Sequence, residues 1–71
     1  MTTNSETKGQ ASVRLSFNPS GNPDVDYIKS LTAELIDFCE NLRHRDARCA
    51  ALAQTNYEQA AMWAVKAATA F

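Results

Sequence analysis

Aromatic and cationic side chains gather around the predicted start of a helix, in the stretch FNPSGNPDVDYIKS at residues 17–30. Aromatic rings stack on nucleobases, while cations and the free N–H groups of a helix N-terminus bind phosphate. The chain therefore holds the parts of a nucleotide-binding site. The candidate ligand-binding residues are Arg14, Phe17, Asn18, Tyr27, Lys29 and Lys66.

Several of these residues, and the nearby Trp63, also have a purely structural interpretation. Phe17 can act as a hydrophobic staple that folds the preceding arm onto the helix. Tyr27 can make a surface or interface contact, and Lys29 and Lys66 can simply be solvated. Trp63, in an alanine-rich stretch, is typical of a core or interface position. The residue types alone do not separate these interpretations from ligand binding.

No arrangement of residues typical of catalysis occurs in the sequence. His44, the one histidine, has no nucleophile predicted beside it, and Glu34 with Asp37 is an ordinary pair on a helix surface. Cys39 and Cys49 together with His44 fall short of the four ligands of a structural zinc site. We therefore expect a binding protein and not an enzyme, with no metal and no cofactor.

Length and charge narrow the class of partner. The chain has 71 residues and a net charge of −1, so it lacks the positive field that long DNA or RNA requires. It has no long apolar run and begins with a polar segment, from which we expect an intracellular protein without a membrane segment. So short a chain buries little surface, and association with other copies is the favoured source of extra stability.

Two helices are predicted, and each has an apolar stripe. Asn22-Pro23-Asp24 is a typical helix start, and the following periodicity predicts a helix from about 23 to about 42. Asp46 is placed to cap a second helix that follows the link 43–46. The first stripe is Ile28, Leu31, Leu35, Phe38 and Leu42, and the second is Ala50, Ala53, Tyr57, Ala60, Ala64, Ala67 and Phe71.

The residues before the first helix are predicted to be irregular or extended. Residues 1–11 are polar and predict a flexible tail, whereas ASVRLSF at 11–17 alternates apolar and polar residues, which indicates an extended arm. The predicted divisions are this tail, an arm with a turn at 12–22, and a helical hairpin domain at 23–71. The fold class is therefore all-α, an antiparallel two-helix hairpin with a short extended N-terminal arm.

Apolar residues outside the two stripes predict self-association. Val25, Ile36 and Cys39 lie off the first stripe, and AAMWAVKAATAF at 60–71 has few polar members. A helix that is apolar nearly all round is buried nearly all round. We therefore expect a homo-oligomer with the last helix at its centre.

The second predicted helix also has a distinctive residue pattern. It consists of Arg48, Thr55, Glu58, Ala60 and the run MWAVKA at 62–67, and it follows an apolar helix that holds Ile28-Lys29. These residues resemble the helical hairpin domain of phage anti-defence sponges, over about residues 13–71. That family includes anti-CBASS proteins, which sequester cyclic oligonucleotide signals, and related Thoeris inhibitors, which trap cyclic ADP-ribose-type signals.

The resemblance implies a hexamer of hairpins, built as two trimers, with ligand pockets between protomers. It implies that cyclic dinucleotides, with cyclic trinucleotides in a second type of pocket, are bound without degradation, so that CBASS effectors stay inactive. It further implies that Phe17 stacks on a base, that Lys29 meets phosphate and that Arg14 belongs to the trinucleotide pocket. The expected location is the cytoplasm of the infected bacterial host.

Two other functions stay open at this point. A sponge for cyclic ADP-ribose-type signals would share the hairpin, and a structural or adaptor oligomer would bind a protein partner through its exposed arm. Without the resemblance, the residues lead only to an α-helical oligomer with an anion-and-aromatic pocket.

Overall fold

A computed structural model describes residues 6–70, and within that range the chain folds into three helices: α1 (Lys8–Val13), α2 (Pro23–Glu40) and α3 (Ala47–Ala68). Residues 6–70 contain no strand. α2 packs against both α1 and α3, and α1 also contacts α3. The predicted all-α class is confirmed.

α2 and α3 run antiparallel, as predicted. The side-chain amide of Asn22, at the start of α2, donates a hydrogen bond over 3.1 Å to the carbonyl of Ala68 at the end of α3. Near the other end of the hairpin, the amide of Gln54 donates to the carbonyl of Ile36 over 3.0 Å. The start of α2 is therefore adjacent to the end of α3.

Both predicted helix starts are also present. The Asn22 side chain accepts a hydrogen bond from the Asp24 N–H over 2.8 Å, and Pro23 occupies the first helical position. Asp46 caps α3 by accepting from the N–H of Cys49 over 2.9 Å. These caps satisfy N–H groups that have no partner within the helix.

The prediction of an extended arm is wrong, because residues 8–13 form α1. The Thr7 hydroxyl accepts from the Gln10 N–H over 3.1 Å, and the Gln10 side chain accepts from the Thr7 N–H over 3.1 Å. This reciprocal capping box starts a helix, and the alternation over 11–17 concealed it. Of the predicted flexible tail at 1–11, residues 1–5 lie outside the described residues and residues 8–11 belong to α1.

The assignment of the first apolar stripe is also wrong for the single chain. Three of its members, Leu31, Leu35 and Phe38, are 45%, 44% and 61% exposed. Ile36, which the sequence placed outside that stripe, is completely buried. The core consists instead of Val13, Ala33, Ile36 and Ala61, flanked by Leu15, Ile28 and Tyr57.

A polar cluster holds the turn end of the hairpin. Gln54, which is 5% exposed, donates to the Glu40 carboxylate over 2.7 Å and accepts from the Arg43 guanidinium over 2.9 Å. Glu40 and Arg43 form an ion pair of 3.1 Å. The Gln54 hydrogen bond and Arg43 lower the pKa of Glu40, although desolvation opposes them. The buried amide thus fixes the register of α3 against α2.

Gly9 sets how closely α1 approaches α2, and it generates the first prediction. A Cβ atom at Gly9 would lie 2.1 Å from the carbonyl oxygen of Ala33, while the Gly9 N–H donates to Asp37 over 2.7 Å. Gly9→Ala should therefore lower the free energy of unfolding by roughly 1–3 kcal/mol through overpacking. Helix propensity alone predicts the opposite, a gain of up to ~1 kcal/mol. Urea denaturation of the variant and the parent measures the change in the free energy of unfolding.

Ala11→Gly is the matched control, since Ala11 is exposed on the same helix. It should cost only the helix-propensity difference of about 1 kcal/mol. A Gly9→Ala protein more stable than the parent would contradict the close packing of α1.

Candidate functional site

Lys29 lies where α1, the following turn and α2 meet. Its side chain is only 8% exposed. Its ammonium group donates over 3.0 Å to the carbonyl of Arg14 and also donates to the carbonyl of Phe17. An ammonium group has three donors, so two are occupied by the backbone. The interpretation of Lys29 as a solvated lysine is therefore wrong.

The surroundings of Lys29 make its charged form less favourable than usual. Burial lowers the pKa of Lys29, the Arg14 guanidinium lowers it further, and Asp26 acts in the opposite direction. Asp26 is itself engaged by Asn18, whose amide donates to its carboxylate over 3.0 Å. Lys29 is thus a buried cation that holds two backbone carbonyls in place.

Arg14 and Phe17 form a stacked pair beside Lys29. The guanidinium carbon of Arg14 lies 4.3 Å from the centre of the Phe17 ring, and Lys29 Nζ lies 5.5 Å from it. Phe17 is 51% exposed. Cations near the ring attract its negative face, so the arrangement presents a flat aromatic surface with positive charge at its side.

Arg14 ends α1 in a backbone conformation that is unusual for its type. Its φ is 54° and its ψ is 59°, in the left-handed region where glycine or asparagine usually ends a helix. For a residue with a Cβ this conformation costs roughly 1–2 kcal/mol. The left-handed turn redirects the chain after α1 and brings Phe17 back towards the Arg14 side chain.

Asn18 organises the turn between α1 and α2. Its amide donates to the carbonyl of Asn22 over 2.9 Å as well as to Asp26, and its oxygen accepts from the Ser20 hydroxyl over 2.8 Å. Both amide hydrogens are thereby used inside the protein. Gly21 completes the turn with a φ of 67°, a conformation that glycine adopts without strain.

Tyr27 and Lys66 lie apart from this cluster. Tyr27 is 67% exposed and does not line the groove described below. Lys66 Nζ lies 5.3 Å from the ring centre of Trp63, which is 68% exposed. Trp63 is therefore not in the core of the single chain, and of its two structural interpretations only the interface position stays a prediction. The structure thus brings together Arg14, Phe17, Asn18 and Lys29 and leaves Tyr27 and Lys66 outside.

An open groove of about 280 Å³ lies between the end of α1, α2 and α3. Arg14 and Lys29 contribute to its wall, and α3 contributes Glu58 with apolar side chains. The lining residues are Ser12, Val13, Arg14, Lys29, Glu58, Ala61, Met62 and Val65. The groove thus combines apolar surface with a few charged groups, the usual composition of a small-molecule site.

Six of the eight lining residues were not among the predicted site residues: Ser12, Val13, Glu58, Ala61, Met62 and Val65. Their contribution depends on the position of α1, which the sequence assigned as an extended arm. The Thr-x-x-Gln pattern at residues 7–10 is a capping box. It would have predicted a helix start there, and therefore Ser12 and Arg14 near the end of that helix. Met62 and Val65 belong to the MWAVKA run at 62–67, in which only Lys66 was a candidate ligand-binding residue.

A second cavity, of about 330 Å³, lies at the turn end of the hairpin. Cys39 and Cys49 both line it, and both are free thiols in the structure. Hydrogen bonding to Asp46 and the negative charge of that carboxylate raise the pKa of Cys49, which lowers the reactivity of its thiol. Within residues 6–70, no group of three or more potential metal ligands occurs.

The helices and the groove together define a small helical binding domain with an exposed aromatic ring and two cations at the mouth of the site. No helix in the described part of the chain is long and apolar enough to cross a bilayer. The comparison with family models matches residues 9–69 to the Acb2/Tad1 hairpin domain. Comparison with curated proteins and with solved structures gave no match.

The chain therefore belongs to the Acb2/Tad1 hairpin-domain family of anti-CBASS and anti-Thoeris sponges, and the resemblance seen in the sequence is confirmed. The family is one of binding proteins that act as sponges for cyclic nucleotide signals. The matched region begins at residue 9, within α1, and covers α2 and α3 in full. The ligand-binding roles of individual residues stay predictions.

Lys29 generates the second prediction. Lys29→Met keeps most of the side-chain volume but leaves the carbonyls of Arg14 and Phe17 without their donor. An unsatisfied buried acceptor costs about 1–3 kcal/mol, partly offset by the lost cost of burying a charge, so the free energy of unfolding should fall by about 1 kcal/mol. Lys66→Met removes an exposed lysine and should change stability by less than about 0.5 kcal/mol.

The pH dependence of this difference provides a further check. Because the pKa of Lys29 is lower in the folded than in the unfolded protein, the unfolded protein binds more protons between those two values. The stability of the parent relative to Lys29→Met should therefore rise with pH through the folded pKa, up to the ordinary lysine value of about 10.4. A difference that falls with alkaline pH would contradict the buried position of the ammonium group.

Proposed function

We propose that the protein is a phage counter-defence sponge that binds cyclic dinucleotides, and cyclic trinucleotides as a further class, without degrading them. Acting in the cytoplasm of the infected bacterial host, it would keep the signal from CBASS effectors. The observation that carries the proposal is the cluster of Arg14, Phe17 and Lys29 at the mouth of a groove, in a domain of the sponge family.

Arg14 is the better candidate for the phosphate-binding cation. The Lys29 ammonium already donates to two carbonyls, whereas no hydrogen bond or ion pair engages the Arg14 guanidinium within residues 6–70. A guanidinium also offers paired donors that match two phosphate oxygens. Lys29 then adds positive potential and one remaining donor, and it fixes the backbone from which Arg14 and Phe17 project.

Phe17 is the proposed stacking surface for a nucleobase. Its ring is half exposed, and the adjacent turn is held by the Asn18 and Ser20 hydrogen bonds. Stacking on an aromatic side chain contributes roughly 1–3 kcal/mol per base. A ring presented by an ordered turn loses little entropy on binding, which favours tight sequestration.

The size of the groove favours a site completed by a second copy of the chain. Its volume of about 280 Å³ is at the low end of the range for small-molecule sites, roughly 300–1,000 Å³. A ligand with two or three nucleotides would extend beyond it. We therefore place the complete pocket at a junction between protomers.

The exposed apolar residues support a homo-oligomer, with a hexamer as the proposed form. The molecule is only 12 Å thick in its thinnest direction, so large side chains of α2 and α3 cannot be covered within one chain. Apolar surface that collects on one molecule marks an interaction site. The residues are Leu31, Leu35, Phe38, Leu52, Met62 and Trp63.

Sequestration requires only that the groove binds its ligand, so the proposal assigns no catalytic role to the groove residues. Cyclic ADP-ribose-type signals are a second ligand class for the same groove, because the family includes anti-Thoeris sponges. An adaptor that binds another protein through these exposed apolar side chains is the alternative from a different class.

Arg14 generates the prediction that tests the proposal. Isothermal titration of the parent with cyclic di- and trinucleotides should give saturable binding, and ligand recovered afterwards should be chemically unchanged by mass spectrometry. Arg14→Asn should weaken binding at least tenfold, since a charge-assisted hydrogen bond contributes about 1.5–3 kcal/mol. Its stability should be equal or higher, because asparagine tolerates the left-handed conformation at position 14.

Arg45→Asn is the matched control, because it removes the same charge at the turn end of the hairpin, away from the groove. It should leave affinity unchanged. If the parent binds none of the cyclic nucleotides, the adaptor alternative is left. Saturable binding of cyclic ADP-ribose alone would favour a sponge for cyclic ADP-ribose-type signals.

The exposed aromatic residues generate a prediction about assembly. Phe38→Ser and Trp63→Ala should shift the protein to smaller species in analytical ultracentrifugation while circular dichroism shows the same helix content. Both side chains are mostly exposed in the single chain, so their loss should cost a monomer less than about 0.5 kcal/mol. A parent protein that sediments as a folded monomer would contradict self-association.

A further inference from the structure

Glu58 is a charged groove residue that the proposed function does not use. It lies on α3, lines the groove together with Arg14 and Lys29, and is partly buried. Within the described part of the chain, its carboxylate has no hydrogen-bond or ion-pair partner. Glu58 is only partly buried, so its carboxylate oxygens are free to accept hydrogen bonds from a ligand in the groove.

A carboxylate in a groove for a phosphate ligand also has a direct cost. It repels phosphate, and it can only accept hydrogen bonds. Its presence lowers affinity unless the ligand places hydrogen-bond donors against it. A ligand that places acceptors there is rejected, so Glu58 acts as a selective element.

The rest of the groove indicates which part of the ligand lies there. Val13, Ala61, Met62 and Val65 provide apolar walls that suit the face of a base. The Ser12 hydroxyl, which also has no partner in residues 6–70, and the third donor of Lys29 supply hydrogen-bond donors. The polar groups of the groove are thus the two acceptor oxygens of the Glu58 carboxylate and one or two donors from Ser12 and Lys29.

On this basis, and resting on the proposed function, we infer that Glu58 accepts hydrogen bonds from the Watson–Crick edge of guanine and gives the sponge a preference for guanine-containing cyclic nucleotides. Guanine presents two adjacent donors, N1–H and the N2 amino group, beside the acceptor O6. The carboxylate accepts both, and Ser12 or Lys29 donates to O6. Adenine offers one amino group and an acceptor at N1, which the carboxylate repels.

The substitution Glu58→Gln makes the inference testable because a glutamine amide matches adenine. Its oxygen accepts from the adenine amino group while its NH2 donates to a ring nitrogen. The same NH2 group opposes guanine N1–H. The variant keeps the shape of the side chain, so the preference should reverse without loss of the fold, as an unchanged melting temperature would show.

Titration calorimetry with cyclic di-GMP, cyclic di-AMP and cyclic di-IMP is the measurement. The parent should bind cyclic di-GMP roughly tenfold or more tightly than cyclic di-AMP, since one bidentate contact discriminates by about 1–3 kcal/mol. Cyclic di-IMP, which lacks the N2 amino group, should fall between them. Glu58→Gln should lose affinity for cyclic di-GMP and bind cyclic di-AMP at least as well as the parent does.

Glu34→Gln is the control, because it makes the same change at an exposed carboxylate of α2 that does not line the groove. Equal affinity of the parent for all three ligands, or an equal loss in Glu58→Gln, would overturn the inference and indicate contact with the ribose, which the ligands share. A parent that binds no cyclic nucleotide at all would instead overturn the proposed function, and the inference with it.

Discussion

The buried ammonium group of Lys29 is the contact on which the candidate site depends. It holds the carbonyls of Arg14 and Phe17, so the end of α1 and the following turn are tied to α2. Without this tie the left-handed residue at position 14 would have little reason to persist, because a short helix of six residues gains little stability by itself. The orientation of Arg14 and of the Phe17 ring thus depends on Lys29, which is itself buried.

The two helices of the hairpin could be predicted from the sequence because their signals are local. The caps at Asn22 and Asp46 and the three-and-four spacing of apolar residues require no knowledge of the rest of the chain. Which apolar face of α2 lies inside was not predictable in this way. Both faces have the right period, and the small residue Ala33 is buried because Gly9 of α1 packs against it, a contact between distant positions.

The candidate site was predictable only in part, and for the same reason. Phe17, Arg14 and Lys29 could be selected by residue type, and the structure does bring them together. The role of Lys29 as an internal hydrogen-bond donor depends on where the backbone turns after α1, which the period-two pattern of residues 11–17 obscured. Glu58 and Ser12 lie 46 positions apart in the sequence and face one groove only once α1 has docked.

The two ends of the hairpin are fastened unequally. At the turn, the connecting chain and the three-way bonding of Gln54 clamp α2 to α3. At the opposite end, roughly 21 Å away by the rise of a helix, the side-chain amide of Asn22 donates to the carbonyl of Ala68 in α3. A separation of the helices that pivots about Gln54 would grow along α3 past Met62 and Val65 and be widest at Ala68. Such a separation would widen the groove and leave the Gln54 contacts intact.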